Sequence, residues 1–229
     1  MILRSLNYRS RRYARLTGEW WTGVRDRKRL ASVLPVFARG HPELAKWRQE
    51  LAPVHAAYCR NQSNSVMAMS LETATALAVL IQASGAQRIA DLGSGFSSYV
   101  ARKAAPHAEV WSVDDSADWI EVTRRYLLDH HMPPDHLVSW EEFRQNADDT
   151  HFDVVCHDLG IMETRIATLA EAIRRVKPAS GWLLLDDMHM IGYAPGAWPQ
   201  LREAGFTTYS LRSLTFDAIA RFSVLARAQ

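Results

Sequence analysis

Two apolar runs of this chain end in acids. Phe152-Asp-Val-Val-Cys156 leads through His157 to Asp158, and Trp182-Leu-Leu-Leu185 leads directly to Asp186, Asp187 and His189. If these runs are neighbouring strands, three carboxylates share one cleft, and they repel one another unless something positive joins them. A second group stands earlier, where Asp91-Leu-Gly-Ser-Gly-Phe-Ser-Ser98 follows the apolar run Arg88-Ile-Ala-Asp-Leu92. Gly93 and Gly95 let the backbone bend tightly and approach a ligand, and the helix expected next offers N–H groups to an anionic group. Asp114 ends the following run, Glu109-Val-Trp-Ser-Val113, at the spacing from which an acid accepts hydrogen bonds from both hydroxyls of a ribose. Asp115 competes for that role, or serves as a turn residue beside Ser116. Glycines and acid together indicate a nucleoside, and Trp140 could lie against an adenine ring or pack at the edge of the core.

Such residues meet only if a scaffold brings strand ends together. Ser70 can cap a helix with Leu71, Ala74, Leu77, Ala78 and Ile81 on one face, ending near Gly85. Strand and helix then alternate. Strands are expected over 88–92, 109–113, 136–140, 152–156 and 182–185, with helices over about 97–104, from Ser116 onward, and through Ile166, Leu169, Ile173 and Val176. Trp119, Ile120, Thr123, Tyr126 and Leu127 fall on the inner side of the helix begun by Ser116. The last of these runs is apolar on both faces, as a central parallel strand must be. The pattern predicts an α/β fold with a doubly wound, mostly parallel sheet, whose ligands bind beyond the carboxyl ends of the strands. Thr207 to Leu211 and Ile219 to Ala226 are expected to form a C-terminal antiparallel hairpin with a short connection at one sheet edge.

The 229 residues, 48% hydrophobic and 23% charged, match an ordinary globular chain and exclude a collagenous, low-complexity or mostly disordered one. No apolar run is long enough to span a bilayer. Cys59 and Cys156 form neither a disulfide framework nor a zinc pattern, so a cytoplasmic location is expected. Residues 1–30 carry nine Lys or Arg against two acids. This basic arm could touch nucleic acid, anionic lipid or an acidic partner, and its Arg-rich start resembles a transit peptide; the ordinary reading is a solvated helix leading into the fold, with Trp20 and Trp21 covering apolar surface. Short helices broken at Pro35, Gly40, Pro42 and Pro53 are expected before the core. The division is thus 1–69, a basic arm and N-terminal helical extension that could form a substrate lid, and 70–229, the α/β domain.

Asp91-x-Gly-x-Gly after the first strand, acids after the second and fourth, and the terminal hairpin together resemble the class I, Rossmann-like methyltransferases that use S-adenosylmethionine. The resemblance covers about residues 70 to 226, and implies that Asp91, Gly93, Gly95 and Ser97 face the methionine part of the cofactor and Asp114 the ribose. Some members have a third glycine where this chain has Ser97. A nicotinamide dinucleotide fingerprint would need glycine at Ser98. Within the class, the second acidic group is similar to small-molecule O-methyltransferases of the catechol and caffeoyl-coenzyme A type. That likeness implies Mg²⁺ held by Asp158, Asp186 and Asp187, binding an acceptor oxygen and lowering its pKa. Asp187 stands where those enzymes have Asn, and Ile161 where they have a lysine. Without the metal, Asp158 would position cofactor and Asp186 or Asp187 would cap the next segment. His189 is the best local base for the displacement, with Asp187 beside it. The expected partner is a small-molecule acceptor, with a homodimer as the protein partner left open; strand four ends in His157-Asp158-Leu159-Gly160 and lacks the Asn-Pro-Pro-aromatic motif of base-amino methylation, which argues against nucleic acid. An N-methyltransferase or an aminopropyltransferase-like enzyme would use the same cofactor pocket.

Overall fold

The structure, a computed structural model, describes residues 21–147, 150–190 and 192–229. Residues 1–20, which carry most of the basic arm, lie outside them. Residues 21–33 are helical (α1), a 3₁₀ turn covers Pro35–Phe37, and α2 (Pro42–Asn61) and α3 (Leu71–Ser84) follow. Alternation then sets in: β1 (Arg88–Leu92), α4 (Phe96–Ala104), β2 (Glu109–Asp114), α5 (Ala117–Asp129), β3 (Leu137–Ser139), α6 (Trp140–Asn146), β4 (Val154–His157), α7 (Met162–Arg175) and β5 (Trp182–Leu185). The chain closes with α8 (Tyr193–Glu203), β6 (Thr207–Ser210), α9 (Arg212–Thr215) and β7 (Val224–Arg227).

These strands form one seven-stranded sheet in the order β3-β2-β1-β4-β5-β7-β6. The first five are parallel, and β7 runs antiparallel between β5 and β6. Side chains alternate across the sheet, as the two-residue strand period requires. Val154, Cys156 and Leu184 enter a core with α2, α3 and α4, whereas Val155, Leu183 and Leu185 enter one with α7 and α8. The order reverses between β1 and β4, where Leu92 pairs with His157. Asp91 and Asp158 therefore come together at the topological switch point.

Four sequence expectations change. Pro53 does not break a helix, because it and Gln49, whose carbonyl loses a helical partner, are both exposed and water can serve that carbonyl. Trp140 begins α6 instead of ending β3, since Ser139 and Glu142 form a capping box: Ser139 Oγ accepts from the Glu142 amide and Glu142 Oε2 from the Ser139 amide. The unexpected α8 carries Pro195 in its first turn, where a missing N–H costs little, and buries Tyr193, Ala197 and Leu201. Finally, the connection before β7 is long and holds α9. Residues 219–222 are not strand, because the Asp217 carboxylate accepts from the amides of Ile219 and Arg221 and from Arg221 Nε and curls the chain.

Candidate active site

The glycine turn closes over β1. Asp91 is buried at the strand's end; Ser98 Oγ donates to its Oδ2 at 2.6 Å and accepts from the Gly95 amide, while Asp91 Oδ1 is buried without a partner. Burial pushes the Asp91 carboxyl up to about 7. Gly93 has φ +111°, and a Cβ there would stand 2.6 Å from the Asp158 carbonyl, so only glycine lets the turn meet the end of β4. Ser97 Oγ donates to the Gly93 carbonyl at 3.2 Å. Asp114 reaches the same turn: its Oδ2 accepts from the Ser94 amide and hydroxyl at 3.0 and 3.1 Å, and its Oδ1 from the Ser116 amide at 3.1 Å. Burial raises it to about 6. Oδ1 keeps a second lone pair for a ligand hydroxyl.

Two residues that sequence reasoning did not assign also meet the turn. Trp119, at the start of α5, donates Nε1–H to the Ser94 carbonyl at 2.6 Å. Tyr58 of α2 places its hydroxyl 2.9 Å from where a Cβ on Gly95 would stand. The extension before residue 70 thus contributes directly to the wall of the site. Trp140 stacks on Phe143 at 5.8 Å at the border of the core and directly follows Ser139, the residue paired with Asp114. Asp115 extends toward Gly160, where an added Cβ would be 2.5 Å from its Oδ2.

At the ends of β4 and β5 the three acids do not converge as a metal set. The positive group that joins two of them is Arg165, in the first turn of α7. Its Nη2 lies 2.5 Å from Asp158 Oδ1, its Nη1 donates to Asp187 Oδ2 at 3.0 Å, and its Nε donates to the Gly160 carbonyl at 3.2 Å. Asp186 turns elsewhere: its Oδ1 accepts from Ser223 Oγ at 2.7 Å, from Thr73 Oγ1 at 3.3 Å and from the Asp187 amide at 2.8 Å, bracing β7 and α3. A guanidinium thus sits where shared oxygen ligation by Asp158 and Asp187 would need the cation, so this donor set does not fit Mg²⁺. Among the described residues no group of three or more His, Cys, Asp or Glu could hold a metal ion. Burial raises Asp158, with Arg165 pulling the other way, and burial also raises Asp186.

Asp187 adopts φ +54°, a left-handed conformation unusual for a non-glycine residue and stored at the strand end. Its Oδ1 is buried without a hydrogen-bond partner and stands 3.6 Å from His189 Nδ1. His157 is a different case. Its ring bonds Tyr193 Oη at 2.6 Å and Thr168 Oγ1 at 3.0 Å, and burial depresses it to about 3, so it is a neutral core histidine.

No family model matches the chain, and no curated protein matches it. Solved structures do. An O-methyltransferase from Bacillus cereus in complex with S-adenosylhomocysteine superposes at a TM-score of 0.57 with 14% identity, covering 80% of this chain and 91% of that one. The O-methyltransferase TomG from Streptomyces achromogenes, involved in tomaymycin synthesis and bound to S-adenosylmethionine, gives 0.56 with 16% identity over 92% and 98% of the two chains. A methyltransferase from Geobacter sulfurreducens gives 0.53 with 15% identity over 88% and 96%. The chain has the class I methyltransferase fold. Its helical extension belongs to the likeness, since the match to TomG spans more than the residues from 70 onward. In this methyltransferase fold the glycine turn, Asp114 and the acids after β4 and β5 all lie at the carboxyl edge of the sheet, around the switch point. No helix among the described residues is long and apolar enough to cross a membrane, and Cys59 and Cys156 are free.

Proposed function

We propose that this chain is an S-adenosylmethionine-dependent methyltransferase that methylates a small-molecule acceptor at oxygen without a metal. The observation that carries the reading is the glycine turn itself: a buried carboxylate oxygen of Asp91 without a partner, beside Gly93 and Gly95, with Asp114 at the end of β2. Such a site fits a nucleoside ligand that brings positive charge, and S-adenosylmethionine carries an ammonium and a sulfonium. When bound, that cofactor supplies an electrophilic methyl group. Asp114 Oδ1 would hold a ribose hydroxyl, Asp91 and the turn would hold the methionine part, and Trp119 and Tyr58 would exclude water. His189 would take the proton from the acceptor hydroxyl. Asp187 orients the imidazole and stabilises it once charged, and Arg165 holds Asp187 in place. Most of the acceleration in such an in-line displacement comes from positioning. The O-methyltransferases among the structural neighbours support oxygen as the acceptor atom.

The test is transfer of isotopically labelled methyl from S-adenosylmethionine to a panel of phenols in excess chelator. Turnover that survives chelation, with product heavier by one methylene, is the expected result. Turnover abolished by chelator and restored by Mg²⁺ would overturn the metal-free assignment.

Cofactor affinity should also depend on pH. In the ligand-free protein the Asp91 and Asp114 carboxyls are raised to about 7 and about 6, so each carries a proton below those values. A cationic ligand favours their ionised forms. Binding therefore expels protons at low pH, and affinity rises with pH through about 6 to 7 and then levels. Calorimetry in two buffers of different ionisation heat would show proton release near pH 6 that vanishes above about pH 8. An affinity flat across that range would contradict the placement of the ligand beside these acids.

A further inference from the structure

Among the described residues nine large apolar side chains are exposed, and six of them crowd one end of the molecule. Val66 and Met67 lie on the loop before α3, Ile161 follows β4, Met190 follows His189, and Phe216 and Ile219 precede β7. β7 runs against β5 and Thr73 of α3 reaches Asp186, so the segments that carry these side chains lie at the carboxyl edge of the sheet, the edge at which Asp187 and His189 follow β5. Scattered exposed apolar residues need no explanation, but a grouping at the mouth of a polar site does.

The segments that carry these side chains are tied together. Arg221, itself buried, donates from Nη1 to the carbonyls of Val66 at 2.9 Å and Ala68 at 2.8 Å, and from Nη2 to that of Ser65 at 3.1 Å. Its Nε is held by Asp217 at 2.7 Å. Asn64 Oδ1 accepts from the amides of both Val66 and Met67 at 2.9 Å, which fixes the turn with their side chains outward; Met67 is 74% exposed. The Met188 amide donates to the Phe222 carbonyl at 3.0 Å and the Met190 amide to that of Asp187 at 2.9 Å, joining this rim to the end of β5. A guanidinium spent on three loop carbonyls holds an apolar edge open to water. The polar floor beneath it carries Asp158 and Asp187 bridged by Arg165, while Arg221 is spent on Asp217 and the loop carbonyls and Arg212 lies over the Phe216 and Phe222 rings; the acids of the floor repel an acceptor carboxylate.

We propose that this rim seats the apolar body of the acceptor, which is a lipophilic, hydroxylated molecule without a carboxylate, its hydroxyl at His189 and its chain on Val66, Met67 and Ile219. This inference rests on the methyltransferase reading and names the substrate class for it. The methyl, butyl and octyl esters of 4-hydroxybenzoic acid, and the free acid, are suitable probes, titrated against the full chain with and without S-adenosylhomocysteine. A methylene fully removed from water is worth about fourfold in affinity, so on this partly open rim butyl should bind at least about tenfold tighter than methyl. The free acid should bind weakest. Met67→Glu and Ile219→Glu, both on exposed positions outside the chemical site, should each erase most of the chain-length preference and leave S-adenosylhomocysteine affinity unchanged. Equal affinity for all four probes, or a preference that survives both substitutions, would overturn the proposal. So would binding to phosphatidylcholine vesicles that Met67→Glu abolishes while the esters bind alike, since the rim would then be a membrane contact. A chain-length preference lost in Met67→Glu, in a protein that fails to bind S-adenosylhomocysteine, would support the apolar seat and sink the methyltransferase reading instead.

Discussion

Arg165→Met should lower the stability of the protein by about 3 to 5 kcal/mol, because it leaves two carboxylates at a largely buried site without their cation. For a chain of this size that corresponds to a fall in melting temperature of about 10 °C. Among the described residues the guanidinium is the positive group that bridges Asp158 and Asp187, at 2.5 and 3.0 Å, with its side chain 11% exposed. Two further measurements separate this cause from simple loss of packing. The deficit should shrink as pH falls, since burial raises the Asp158 carboxyl and its protonated form needs no counter-ion, and Arg165→Met combined with Asp187→Asn should recover part of the lost stability. Thermal unfolding followed by circular dichroism checks all three. An unchanged melting temperature in Arg165→Met would mean that the acids are held by something else.

His189→Ala should lower turnover by about 10² to 10⁴-fold, the usual effect of removing a general base, with donor affinity unchanged. The separation follows from position: His189 lies beside Asp187 at the end of β5, whereas the donor site is the turn after β1. In the variant the residual rate should climb with pH as hydroxide replaces the imidazole. Single-turnover rates together with donor titration give both quantities. A variant that keeps full turnover would leave the proton to another acceptor, and one that loses donor affinity in parallel would place His189 in the cofactor pocket.

Much of this scaffold is legible in the sequence because its central strands are apolar on both faces and its turns carry their own signals. Trp182 to Leu185, the Ser70 and Ser116 caps and the left-handed Gly85 are local features that tertiary context reinforces. What escapes is set by distant contacts. Tyr58 reaches the turn at Gly95 from another helix, and nothing near it in sequence announces that. Arg165 left a signal that could have been used: a cation in the first turn of α7 opposes the helix dipole and therefore needs acids close by, and Asp158 stands just before that helix. The demand for a positive group among the acids was readable, but its identity was not, because only the fold brings Asp187 to the same guanidinium. Asp186 shows the limit of counting acids. It follows β5 directly, yet the hydroxyls of Ser223 and Thr73 turn it into the brace between β7 and α3.

The central claim, that the turn over Asp91 is a cofactor site, is tested most directly by calorimetric titration of S-adenosylhomocysteine into the wild-type protein and Asp114→Ala. Hydrogen bonds to a charged acceptor are worth about 1.5 to 3 kcal/mol, so the variant should bind about tenfold more weakly or worse, against one-to-one binding by the wild type. No binding by the wild type, or equal affinity in both, would contradict the account.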